Sequence, residues 1–165
     1  MEPFLLIDRE DAIVTVTLNR PQERNAISEA AHIAELVDFC DWATAEQGLK
    51  AIVLTGAGSA FCAGGNVKNM RERSGMFAGS PYELRNKYRK GIQLIPQALY
   101  ELEVPIIAAI NGPAIGAGLI WPACATFGSH PKARYSLKVS PSLASFPETA
   151  AHGCCRASSA WPGPR

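Results

Sequence analysis

The sequence lacks an excess of charge of either sign: sixteen basic side chains stand against fifteen acidic ones, a formal net charge of +1. Its densest basic cluster is Lys87-Tyr88-Arg89-Lys90, so it carries no electrostatic footprint for nucleic acid or an anionic membrane. Long apolar runs are missing too. Ile106 to Ile110 is representative, far below the ~18 residues of a bilayer span. Met1-Glu2-Pro3 has no basic segment leading into an apolar stretch, as a secretory signal would, and the expected location is cytoplasmic. The five cysteines (Cys40, Cys62, Cys124, Cys154 and Cys155) are odd in number and show no Cys-x-x-Cys spacing. Neither a disulfide framework nor a metal site is expected from them. What is present is ordinary globular material: 165 residues, 47% hydrophobic and 19% charged, the size and balance of one soluble domain.

Charge is nevertheless unevenly spread along the chain. Residues 1–119 hold 11 basic and 14 acidic side chains, whereas residues 120–165 hold 5 basic and 1 acidic, together with six of the twelve prolines and seven serines. Two regions are therefore expected, an α/β domain over 1–119 and a Pro/Ser-rich tail over 120–165. No apolar period survives in the tail, where Pro122, Pro131, Pro141, Pro147, Pro162 and Pro164 interrupt helices and central strands.

Within the first region, Phe4 to Ile7 and the alternating Ile13 to Leu18 predict a hairpin with its turn at Arg9-Glu10-Asp11. Ser28 is the expected cap of a helix whose Ile33, Leu36, Val37, Cys40 and Ala43 repeat at helical spacing, with Gly48 as its stop. Ala51 to Leu54 and Ile106 to Ile110 are compact apolar runs, the first of a kind buried on both faces of a sheet, and each ends in a glycine-containing turn. Between them, Leu84, Tyr88, Ile92, Ile95, Leu99 and Leu102 predict one long helix over 81–103, bent at Gly91 and Pro96. Strands alternating with helices imply parallel pairing.

Both glycine-rich turns follow a strand and precede a helix start, where backbone N–H groups lack intrahelical partners. A phosphate-binding role is weakly supported: Gly56-Ala57-Gly58-Ser59-Ala60-Phe61 has Phe61 where G-x-G-x-x-G needs its third glycine, and Gly112 to Gly118 lacks the Lys-Ser/Thr pair of a P-loop. The distinctive strings are Ser59-Ala60-Phe61-Cys62-Ala63-Gly64-Gly65-Asn66 and, about fifty residues on, Ala109-Ile110-Asn111-Gly112-Pro113-Ala114-Ile115-Gly116-Ala117-Gly118. They resemble the F-x-A-G-x-D and A-x-x-G-x-A-x-G-G-G signatures of the crotonase (enoyl-CoA hydratase/isomerase) family. Leu18-Asn19-Arg20-Pro21-Gln22-Glu23-Arg24-Asn25-Ala26-Ile27 is similar to that family's N-R-P-x-x-x-N-A-L stretch.

The resemblance implies a crotonase-like α/β spiral built of ββα units, incomplete at its C-terminus, and an acyl-CoA substrate with no separate cofactor, since coenzyme A is part of the substrate. It implies backbone N–H donors at Gly65 and Ala117 for the oxyanion of a thioester enolate, a coenzyme A path bordered by Arg24 and Ala26, and a pantetheine contact along Ala63, Gly64, Gly65 and Asn66, with Gly116 beside the second donor. Such donors must be fixed where negative charge develops, and small residues permit the approach. A family-like trimer or hexamer is expected only of an intact full-length chain. Hydration or double-bond isomerisation is the ancestral reaction implied. A non-catalytic acyl-CoA-binding or subunit-interaction role and a Clp-like serine peptidase are the alternatives, the last without a Gly-x-Ser-x-Gly in the sequence.

The sequence departs from the pattern at two places. Asn66 stands where the family has Asp, a mild change because either residue caps a helix. Ile120 stands where family members commonly carry an acid/base carboxylate, and an isoleucine moves no protons. With the third base of each codon left free, a displaced frame allows Ile120 to Pro131 to be reread as DLACMCDIRIAS and Phe146 to Arg165 as VPGDGGAWLLPRIVGMARAA, both similar to the family's continuation, while Lys132-Ala133-Arg134-Tyr135 is similar to it without a shift. The tail is accordingly expected to be frame-shifted, and His130, His152, Cys154, Cys155, Trp121 and Trp161 carry no functional expectation. His32 is expected as a surface or partly buried imidazole, and Cys62 as a small packed residue.

Overall fold

The computed structural model describes residues 2–27, 29–119 and 127–129. Leu5–Glu10 (β1) and Ile13–Leu18 (β2) pair antiparallel, from Leu5 opposite Leu18 to Glu10 opposite Ile13. The turn falls on Asp11 and Ala12, later than the expected Arg9-Glu10-Asp11. Asp11 adopts a left-handed backbone (φ 54), which a short polar side chain tolerates better than most, and β1 therefore runs on to Glu10. The sheet continues in parallel through Ala51–Gly56 (β3), Ile106–Ala109 (β4) and Phe127–Ser129 (β5). Its spatial order, β1-β2-β3-β4-β5, is the order of the chain. Between the strands lie the helices Ala30–Ala45 (α1), Val67–Glu72 (α2), Pro81–Arg89 (α3) and Leu94–Glu101 (α4), with short 3-10 turns at Pro21–Glu23 and Gly75–Phe77.

Period-two alternation sets which face of the sheet is covered. Val14, Val16, Leu18, Ile52, Leu54, Ile106 and Ala108 are buried and join one core with Ile33, Leu36, Phe39, Cys40, Ile95 and Leu99 from α1 and α4. Ala51, Val53 and Ile107 on the other face are only half-buried. Among the described residues β3 is thus fully buried on one face and half-buried on the other, where its run of apolar residues predicts burial on both; an apolar run alone does not report how many layers cover it.

α1 begins at Ala30 with Glu29 in the capping position and no side-chain cap hydrogen bond; the expected cap, Ser28, lies outside the described residues. The helix is tied to the sheet by Glu35, whose carboxylate accepts from the backbone N–H of Phe4 (2.9 Å) and Leu5 (2.8 Å). The expected single helix over 81–103 is two helices. Pro96 lies in the first turn of α4, where its missing N–H has no intrahelical role to lose. The break falls at residues 90–93, where Gly91 N–H turns back to Tyr88 O (3.3 Å) and Gln93 N–H bonds the same carbonyl (3.1 Å). Among the described residues no helix is long and apolar enough to cross a membrane. Ile120, Trp121, His130, His152, Cys154, Cys155 and Trp161, and the tail beyond Ser129 to which most of them belong, lie outside the described residues.

His32 is buried on α1 and stacks on Phe4, ring centroids 4.2 Å apart and planes 10° apart. Burial lowers its pKa below the ordinary 6.5 and Arg20 adds to that, against the opposing pull of Glu29, Glu23 and Glu35. The native state therefore favours the neutral ring, and in acid the unfolded chain binds the extra proton. This contribution to stability is complete above pH 6.5 and is lost as the pH falls toward the lowered folded value. Urea unfolding at about pH 7 and about pH 5.5 should show the chain weaker at the lower pH, with a smaller loss in His32→Phe; an equal loss in both would remove His32 as the cause.

Candidate active site

Three chain segments meet at the ends of β2, β3 and β4. The first turns after β2, where Arg24 and Asn25 both adopt left-handed backbone (φ 52 and 56). This reversal carries the Asn25 side chain into the protein, fully buried. Its Nδ2 donates to Ala57 O (3.0 Å), Ala60 O (2.8 Å) and Phe61 O (3.2 Å), and its Oδ1 accepts from Arg20 N–H (2.9 Å). From the other side Asn111 Nδ2 donates to Gly56 O (2.7 Å) and Gly58 O (2.9 Å). Two asparagines thus hold the turn after β3 from opposite flanks, each doing with an amide what backbone partners do within a sheet. Replacing Asn25 by Ala leaves several buried groups without partners at about 1–3 kcal/mol each. Urea unfolding should register a loss of about 3 kcal/mol; a loss below about 1 kcal/mol would deny Asn25 this role.

The middle segment, residues 60–66, is bonded on both sides. Ala63 N–H donates to Arg24 O (2.9 Å) and Ile27 N–H to Gly64 O (2.8 Å), while Cys62 N–H donates to Pro113 O (3.2 Å) and Ile115 N–H to Cys62 O (2.9 Å). Ile27 with Gly65 and Cys62 with Ala114 accordingly form parallel bridges. Glycine is required at two of these contacts. Gly64 has φ +78, and a β-carbon there would lie 2.5 Å from Ile115 O and 3.1 Å from Ala117 N; a β-carbon on Gly118 would strike the carbonyl and side chain of Cys62. Cys62 is fully buried, its thiol pushed up to about 12 by burial, and its Sγ lies 3.1 Å from Asn25 O. That is a packed residue, as expected, with no thiolate to offer at neutral pH.

The amides expected as donors, those of Gly65 and Ala117, lie at or near these bridges. Ala117 opens a helical turn in which Gly118 N–H donates to Ile115 O and Leu119 N–H to Gly116 O, both at 3.0 Å. As the first residue of that turn, Ala117 has no intrahelical acceptor for its own N–H. Among the described residues neither the Gly65 nor the Ala117 N–H is bonded to a backbone carbonyl in these turns. Asn66 caps α2 as expected, its Oδ1 accepting from Lys68 N–H (3.0 Å) and Asn69 N–H (3.2 Å). Gly65, Asn66, Ala63, Gly64, Gly116 and Ala117 therefore belong to one cluster, with Arg24 and Ala26 along its first edge.

A sequence model described as enoyl-CoA hydratase/isomerase matches residues 8–137, most of the chain. The chain belongs to the enoyl-CoA hydratase/isomerase family. This family member is 31% identical over 118 residues to a 1,2-epoxyphenylacetyl-CoA isomerase of Escherichia coli, covering 72% of this chain and 44% of the relative. It is 34% identical over 119 residues to a mevalonyl-coenzyme A hydratase of Beauveria bassiana, covering 65% of this chain and 38% of the relative. The crystal structure of an enoyl-CoA hydratase from Mycobacterium smegmatis superposes with TM-score 0.67 at 35% identity, covering 77% of this chain and 47% of the other. The chain thus has the crotonase fold and spans less than half the length of these relatives. Of the two asparagines, Asn25 stands at a fixed position of the Asn-Ala-Leu-like stretch, whereas Asn111 falls at an unspecified position of its motif. The signal available for Asn111 is chemical: an asparagine just after a strand, beside a glycine, is suited to bonding the backbone of a turn.

Proposed function

We propose that the chain binds an acyl-CoA thioester with its carbonyl oxygen between the backbone N–H groups of Gly65 and Ala117, and that this pair stabilises the enolate formed when a proton leaves the α-carbon. The observation that carries the reading is the docking of residues 62–65 between Arg24–Ile27 and Pro113–Ile115, close enough that a β-carbon on Gly64 would lie 3.1 Å from Ala117 N. Two amides held by backbone bonding need no reorganisation when charge develops, the condition for oxyanion stabilisation. Arg24 and Ala26 border the coenzyme A path, Ala63, Gly64, Gly65 and Asn66 touch the pantetheine end, and Gly116 flanks the second donor.

Acid/base help is missing from the written chain, because Ile120 occupies the position where the family commonly has a carboxylate. Hydratase or isomerase turnover is accordingly impaired, and thioester binding without turnover is the second reading, favoured by that same residue. Residues 120–131 and 146–165 are read as written in a displaced frame, on the similarity of both rereadings to the family's continuation. Titration calorimetry of the chain with butanoyl-CoA, with free coenzyme A as comparison, tests the binding reading. Saturable heat requiring the thioester supports it, whereas no thioester-dependent binding, or cleavage of a peptide substrate, overturns it.

A further inference from the structure

Two apolar side chains stand beside the Gly65 amide, and the oxyanion reading gives them no task. A β-carbon on Gly65 would strike the terminal methyl of Met70 and lie 3.3 Å from Phe77 Cζ, so Met70 and Phe77 bound the space next to that amide. They bound it differently. Met70 is half-buried and has three rotatable side-chain bonds, so it adapts to what it meets. Phe77 is buried, and its ring meets that of Tyr88 edge-on, centroids 6.2 Å apart and planes 64° apart. Phe77 closes the 3-10 turn Gly75–Phe77, a piece too short to fix its own position. The turn is fixed from α3: Lys87 Nζ donates to Gly75 O (3.3 Å) and to Ala78 O (2.7 Å), carbonyls on either side of Phe77. The start of α3 is itself locked by the reciprocal bonds of Ser80 and Glu83.

We propose that Phe77 is the wall that limits acyl length beside the Gly65 amide, and that Lys87 is the positioning residue that holds this wall in place. The proposal rests on the thioester reading and adds to it the substrate class, short acyl groups. A carbonyl on the Gly65 N–H brings the first acyl carbons toward Met70 and Phe77. A short chain ends before the ring. A longer one can push Met70 aside, but it moves Phe77 only by pulling the 3-10 turn off Lys87 and the ring off Tyr88. Removing the ring opens room for several methylenes, each worth about fourfold in affinity once buried.

The test is titration calorimetry of the full chain with butanoyl-CoA and octanoyl-CoA, for the unmodified protein and for Phe77→Ala, Phe77→Leu, Lys87→Met and Lys87→Arg, with urea unfolding of each. The octanoyl-to-butanoyl affinity ratio should rise about tenfold or more in Phe77→Ala, by less in Phe77→Leu and by about threefold in Lys87→Met. It should return to the unmodified value in Lys87→Arg, whose guanidinium also donates to carbonyls. A ratio within about twofold of the unmodified value in the Phe77 variants overturns the wall; where Phe77→Ala does not fold, Phe77→Leu decides. Weakening of both thioesters by the same factor in Lys87→Met overturns its positioning role. If the unmodified chain binds both thioesters and the variants leave the ratio alone, this proposal alone fails. If it binds neither, the thioester reading fails and takes the proposal with it.

Discussion

Gly64→Ala should lower the stability of the chain by about 3 kcal/mol and thioester affinity by about a hundredfold, roughly 2.7 kcal/mol. Two costs combine. The left-handed backbone at φ +78 penalises any β-carbon by about 1–2 kcal/mol, and the new atom would lie 2.5 Å from Ile115 O, an overpacking worth about 1–3 kcal/mol. Neither neighbour can yield without separating residues 62–65 from residues 113–118, which moves the Gly65 and Ala117 amides apart. Gly48→Ala, outside the site, is the matched control: its φ is +99, but nothing lies within 4 Å of the added atom, so only the backbone cost of about 1–2 kcal/mol applies. Urea unfolding with butanoyl-CoA calorimetry on both variants reads the difference. Equal losses in the two, or undiminished binding by Gly64→Ala, would show that close approach of the two turns does not make the site.

The second large effect is a gain. In the proposed displaced-frame reading an aspartate stands where Ile120 is written, three residues along the chain from Ala117, the proposed second donor. General acid/base help is worth about 10²- to 10⁴-fold, and the frame-restored protein should exceed the written chain by that order on some short enoyl-CoA. Three proteins decide it: the written chain, the frame-restored chain, and the restored chain with its new aspartate changed to asparagine. The first and third should be slow and the second fast. Equal rates in all three would remove the carboxylate and the frame displacement together.

The sheet was largely legible in the sequence, because one buried face leaves an alternating trace: Val14, Val16 and Leu18 are buried and the residues between them are not. The close packing of the two glycine turns was legible too, since glycine at Gly64 and Gly118 is demanded by contacts no other residue tolerates and so appears as a motif. The break between α3 and α4 was legible only as a bend at Gly91, which lies within it. The spacing of Tyr88, Ile92, Ile95 and Leu99 continues across it, and the capture of two N–H groups by Tyr88 O leaves no mark on side-chain pattern. Asn111 was equally silent. Its partners are backbone groups of Gly56 and Gly58, more than fifty residues away, and any sequence that supplied them would have looked the same.

The agreement between strand order and chain order bears on how the protein is made. Each strand from β2 onward is added to the outer edge of the sheet already laid down, and none must be threaded between two strands that have paired. Synthesis from the N-terminus therefore delivers each strand as its docking edge comes free, and the hairpin of β1 and β2, the one local pairing, is the first to emerge. The parallel pairings that follow must wait for connections of tens of residues, and that kind of long-range closure is slow. Growth by one edge at a time leaves the nascent sheet two open edges, β1 throughout and the newest strand in turn, and so limits the surface on which one unfinished chain can capture another on the ribosome.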